Sequence, residues 1–140
     1  MSRSIACPSR AAFDLVKEVE RFPEFMSNVV SVRIRTADAH RKVAEWETRL
    51  DDAPLEWVEE GIYDDAGLTV RFRALEGVFD RFDGFWKVEP HEAGSHVTLE
   101  LTYEIGLPEI EEIVGPILKA RLVENAEEML SAIERRLGQR

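Results

Sequence analysis

Glu59 lies two residues after Trp57 and four before Tyr63, in a stretch where apolar and polar residues alternate. Strand residues two apart share a face, so Glu59 shares one with Trp57, Gly61 and Tyr63. A carboxylate among aromatic rings is desolvated. That raises its pKa and suits it to general acid or base work on a carbonyl substrate, such as enolisation or dehydration. The competing role is structural, at a cavity rim in water or paired with an Arg or Tyr. Tyr63 and Tyr103 can turn their hydroxyls inward to orient a ligand oxygen, or outward at a strand end. Trp46, Trp57, Phe72, Phe82, Trp86 and Tyr103, with Leu101 beside them, can wall a pocket for a planar ligand or fill an ordinary core. His40, His91 and His96 fall in or beside turns, with no metal-ligand spacing among them or to Cys7, so they read as surface residues and no metal site is expected. No nucleophile elbow with a Ser-His-Asp set occurs, which leaves covalent catalysis without support.

The alternation that sets these faces runs from Asn28 to about Ile105 and is broken by turn residues near 37–41, 51–54, 64–67, 76–77 and 90–95. This predicts six strands joined by hairpins, and Ser4-Ile5-Ala6-Cys7 adds a short one before them. If Asp51–Pro54 and Asp64–Gly67 are four-residue loops, Thr48 faces Trp57, Trp46 faces Glu59, Tyr63 faces Leu68 and Gly61 faces Val70. Arg49–Glu56 and Glu60–Arg71 then become opposite-charge pairs on the outside. Ser9 can cap a helix over about residues 9–19 that buries Phe13, Val16 and Val19, and Pro23 suits the first turn of a second short helix. From Pro108 to Arg140, apolar residues from Ile110 to Leu137 form a helical stripe, with a kink or a helix start expected at Gly115-Pro116. The expected fold is α+β: a curved seven-stranded antiparallel sheet wrapped around one long C-terminal helix, with two short helices after the first strand.

At 140 residues the chain suits a single domain with a sizeable core. With 18 Lys and Arg against 28 Asp and Glu, its net charge of −10 argues against nucleic acid or an anionic membrane as partner and favours a small ligand. One Cys, no long apolar span and no secretory leader make the cytoplasm the expected location. Residues 43–66 hold nine acids and one Arg, so an acidic partner would have to dock elsewhere, near Arg33, Arg35, Arg41 and Lys42 or at Arg135, Arg136 and Arg140.

The order of elements resembles the helix-grip architecture of the START/birch-allergen-like (SRPBCC) superfamily. Ala6 through Val16, followed by Val19-Glu20-Arg21-Phe22-Pro23-Glu24-Phe25, is similar to the opening of polyketide aromatase/cyclases and of coenzyme-Q-binding START proteins. Trp57, Gly77-Val78-Phe79, Trp86 through Pro90, Val97 through Glu100 and Gly115-Pro116 extend the resemblance along the chain. It implies a hydrophobic cavity between sheet and helix that holds an aromatic or polyketide-derived molecule. The implied activity is cofactor-independent ring closure or dehydration, with Glu59 as acid or base and a Tyr as carbonyl partner. An acyl carrier protein is an implied partner, and a homodimer is compatible with it. The cyclases carry a pocket Arg where this chain has Gly61. Counting back from Gly77-Val78-Phe79 brings Arg73 to a second such position, although the hairpin pairing turns Arg73 outward unless a bulge at 64–67 reverses it. The alternative is a non-catalytic carrier of a lipid or quinone, which the missing pocket Arg favours.

Overall fold

The computed structural model describes residues 1–50, 53–77, 79–92, 94–104 and 108–138. Seven strands form one sheet: β1 (Ser2–Ile5), β2 (Val29–Ala37), β3 (Arg41–Leu50), β4 (Ala53–Asp64), β5 (Thr69–Gly77), β6 (Arg81–His91) and β7 (Gly94–Glu104). Helix α1 (Ser9–Lys17) and a 3₁₀ turn (Val19–Glu24) follow β1, and α2 (Pro108–Gly138) ends the chain. Strand order is β1-β7-β6-β5-β4-β3-β2, every pairing antiparallel, so consecutive hairpins build the sheet and β1 closes onto the last strand. This is the helix-grip arrangement expected from the sequence.

The faces come out as alternation assigns them, but the registers do not. Leu50 pairs with Ala53 and Thr48 with Leu55, so Trp46 lies opposite Trp57 and Glu59 opposite Ala44. The next hairpin likewise pairs Tyr63 with Val70 and Gly61 with Phe72. Each register differs from expectation by two residues, and a slip of two leaves every side chain on its face. The outer pairs do change. Glu47 lies opposite Glu56, and Glu60 faces Arg73 rather than Arg71. Glu60 accepts hydrogen bonds from Arg41 Nε at 2.6 Å and Arg73 Nε at 2.8 Å, which hold its carboxyl below the usual range.

Helix α1 buries Ala12, Phe13, Leu15 and Val16, while Val19, expected on the same helix, is buried in the 3₁₀ turn that follows. Its cap position is Pro8, and Ser9 begins the helix without capping it, since proline's fixed φ suits that boundary. Pro23 falls near the end of the 3₁₀ turn rather than in its first turn. Phe22, fully buried there, meets Trp46 and Trp86 edge-on at 5.9 and 6.2 Å and so fixes the helical corner against the sheet. Helix α2 continues through Gly115-Pro116 instead of starting there. Its later turns bury Leu122, Met129, Leu130, Ile133 and Leu137, whereas Ile117 is 62% exposed, so the apolar stripe is used only in part. Arg3 on β1 ties α2 down through Glu134 at 2.9 Å. Among the described residues, no helix is long and apolar enough to cross a membrane.

Candidate functional site

The inner face of the sheet and α2 flank a partly open cavity of ≈ 60 Å³, counted as space open to the centre of a water molecule. Adding a water radius all round gives roughly 200 Å³ of molecular space, enough for a molecule of one or two rings. Trp46, Trp57, Phe72, Phe82 and Trp86 wall it from the sheet with Leu99 and Leu101, and Leu122, Ala126 and Met129 close it from α2. The Trp46–Trp57 register makes the two indoles stack, 5.7 Å apart and 10° from parallel. Phe82 then leans on Trp57 at 5.0 Å. Gly77, opposite Trp57, has φ +142°, and a β-carbon there would lie 2.6 Å from Trp57 Cβ. Gly77→Ala is therefore expected to cost about 2 kcal/mol in a denaturant melt; unchanged stability would show that the end of β5 moves freely.

Among the described residues, three polar side chains, Thr48, Glu59 and Asn125, line this cavity. Glu59 is half-buried, its exposed part opening onto the cavity. Trp57 Nε1 donates to its Oε1 at 3.1 Å. Burial pushes the carboxyl up to about 8, with the indole hydrogen bond a smaller opposing effect. At neutral pH it is therefore mostly protonated, able to donate a proton and, once ionised, to take one back. Among the described residues no Lys, Arg or His lines the cavity, so a bound anion would find no counter-charge from them.

Tyr63, Tyr103 and Arg73 stand apart from this lining. The buried Tyr63 ring folds back over Gly61, its hydroxyl 3.1 Å from where a Gly61 β-carbon would sit. The ring thus occupies the space that a longer side chain at 61 would use. Burial, then the nearby Glu59, raises the Tyr63 phenol above its ordinary value and keeps it neutral. Tyr103 is half-buried in a groove between β7 and α2, edge-on to Phe79 at 6.0 Å. Arg73 takes the outward side that the hairpin pairing gave it, not the inward one that counting back from Gly77-Val78-Phe79 allowed, and this corrects its candidacy as a pocket arginine: its side chain is 66% exposed, bonded to Glu60. The physical reason is a bulge within β5. Gly77 faces Trp57 and Glu76 faces Val58, but the next partner, of Glu59, is Ala74, so Leu75 is the extra residue. Counting back from Gly77 crosses the bulge and inverts the face, whereas counting from the Asp64–Thr69 turn does not.

Thr48 was on the predicted inner face but carried no signal of its own. Asn125 could have been found as the polar residue set among Leu122, Ala126 and Met129 at helical spacing. The cations expected to be open to an acidic partner have carboxylate partners of their own: Arg33 and Arg35 with Glu45, Arg41 with Glu60, Lys42 with Glu20, Arg135 with Glu128 and Arg136 with Glu24. Arg140 lies outside the described residues. Among those described, no three His, Cys, Asp or Glu side chains come together as a metal site would require.

Comparison with known proteins agrees with this architecture. TTHA0849 from Thermus thermophilus superposes with a TM-score of 0.92 at 29% identity, covering 98% of this chain and 94% of that one. The Zhui aromatase/cyclase from Streptomyces sp. R1128 also gives 0.92, at 14% identity over 100% of this chain and 92% of its own, a likeness of fold. The ribosome association toxin RatA of Pseudomonas aeruginosa is 24% identical over 111 residues, 79% of this chain and 76% of that protein. The family described as polyketide cyclase/dehydrase and lipid transport matches residues 5–130. With its sheet, long helix and largely apolar cavity, a fold suited to hydrophobic ligands, the chain belongs to that polyketide cyclase/dehydrase and lipid transport family.

Proposed function

We propose that the cavity binds a neutral, ring-bearing hydrophobic molecule and that Glu59 moves protons on it in a dehydration or ring-closing reaction. The observation that carries this reading is a lone carboxyl, its pKa raised by burial, in a cavity whose other described walls are aromatic and aliphatic apart from Thr48 and Asn125. In a dehydration, neutral Glu59 gives its proton to the departing hydroxyl, the C–O bond breaks and water leaves. The carboxylate so formed takes the proton from the neighbouring carbon as the double bond forms, which restores the acid. The stacked indoles hold the substrate in one conformation, so positioning supplies much of the rate.

Glu59→Gln keeps the shape and an acceptor for Trp57 but has no proton to give. Turnover of a β-hydroxy aryl ketone, followed as water loss, is expected to fall by about a hundredfold or more while its affinity stays within a few-fold. Wild-type turnover in that variant would remove Glu59 from the reaction. The carrier reading draws on a different observation: Gly61 lies under Tyr63, and among the described residues no cation lines the cavity. Native mass spectrometry of the purified protein separates the two readings. A long isoprenoid or acyl species at near one per chain would favour carriage. An empty cavity that fills with small aromatic ketones would favour catalysis.

A further inference from the structure

Asn125 reaches the cavity from α2, facing the sheet that carries Glu59. Its amide is not free to turn. Asn28, just before β2, donates from Nδ2 to Asn125 Oδ1, and Asn125 Nδ2 lies 3.9 Å from Met129 Sδ. A thioether sulfur only accepts, so the nitrogen belongs on the Met129 side and the oxygen on the Asn28 side. Met129 lines the cavity and Asn28 does not. The amide edge turned toward the cavity is therefore its donor edge.

The pair is costly. Asn28 Oδ1 is buried with no hydrogen-bond partner among the described residues, an arrangement that costs stability because the oxygen gives up water and gains nothing in return. Two leucines would pack the same space without that loss, so the amides stand out as a functional feature beside a cavity. We propose that Asn125, oriented by Asn28, is a second ligand-contacting residue, and that its amide N–H selects neutral ligands bearing a hydrogen-bond-accepting oxygen, such as a ketone, on the side of α2.

The other two polar groups agree with that choice. Glu59, protonated at neutral pH, presents an O–H, and Thr48 has a hydroxyl with no bond to any described residue, free to donate. The described lining is thus rich in donors and holds no cation, which suits carbonyl compounds and disfavours free carboxylates. This inference rests on the proposal that the cavity binds a ligand, and its test can fail separately.

The probes are α-tetralone and tetralin, two-ring molecules of nearly the same shape that differ in one carbonyl. Titrations of the full chain, followed by the Trp57 indole N–H resonance, give an affinity for each. Wild-type protein is expected to bind the ketone about tenfold more tightly. In Asn125→Leu that ratio should fall about fivefold, the worth of one neutral hydrogen bond, while tetralin affinity holds. Asn28→Ala, which removes only the orienting donor, should lower the ratio by less. If Asn125→Leu unfolds because Asn28 is stranded, the double variant Asn28→Leu/Asn125→Leu removes both amides and should show the same loss of ratio. A ratio within twofold of wild type in the folded variant overturns the role of Asn125 and leaves the cavity reading standing. If neither probe binds wild-type protein, the cavity reading falls and this inference with it.

Discussion

Glu59→Gln is expected to make the protein more stable than wild type, by an amount that grows with pH. The folded carboxyl holds its proton up to about pH 8, against 4.5 for an ordinary glutamate. Folding therefore takes up a proton between those values. The wild type is at its best below the unfolded pKa and loses stability as pH rises toward the folded one. Glutamine, neutral throughout, has no such dependence. The difference between the two proteins should be near zero at pH 4.5, about 2 kcal/mol at pH 6 and about 4 kcal/mol at pH 8, and level beyond that. Urea unfolding of both proteins at several pH values measures it directly. A difference that stays flat from pH 5 to 8 would mean that Glu59 ionises normally and that water reaches it freely. Because the same substitution is expected to cut turnover by about a hundredfold or more, a gain in stability with a loss of activity would mark Glu59 as a group kept for function at the expense of stability.

Phe22→Ala should be among the most damaging single truncations, at about 3–5 kcal/mol. The ring has no exposure to solvent and touches Phe25, Trp46 and Trp86 edge-on at 5.9, 5.9 and 6.2 Å. Its removal leaves a void behind two of the cavity walls, one the 3₁₀ turn cannot close while Pro23 restricts its backbone. Tryptophan fluorescence should shift together with the lower denaturation midpoint, because Trp46 and Trp86 lose their shared support. Ile117→Ala, at a site 62% exposed, is the control and should change stability by less than about 0.5 kcal/mol. Equal effects from the two substitutions would show that the helical corner does not brace the cavity.

Taken together, the two substitutions separate a group that is costly to bury from one that holds the structure up. Glu59 lies on a face that Trp57, Gly61 and Tyr63 share with it, and Phe22 fastens that face to the helices. The sheet therefore places the acid, and the helical corner supports two walls of its cavity.

Alternation in the sequence alone determined which side of the sheet each of Trp46, Trp57, Glu59, Tyr63, Phe72 and Trp86 occupies, because side-chain direction in a strand has period two and survives a register shift of two. The number of strands, the long final helix and a carboxylate among aromatic rings were legible for the same reason. Arg73 was not settled by local pattern, since its face depends on whether the count passes Leu75, and the extra residue there is a matter of how β4 and β5 pair. Tyr63 and Tyr103 share the inner face with the lining residues yet stand outside the cavity, because one ring folds over Gly61 and the other falls beside α2. Asn125 joins Glu59 only once a helix some 60 residues further along the chain packs across the sheet. Periodicity acts along one element at a time; which side chains meet across two elements is decided by packing, where volume and hydrogen-bond partners from distant segments must be satisfied together.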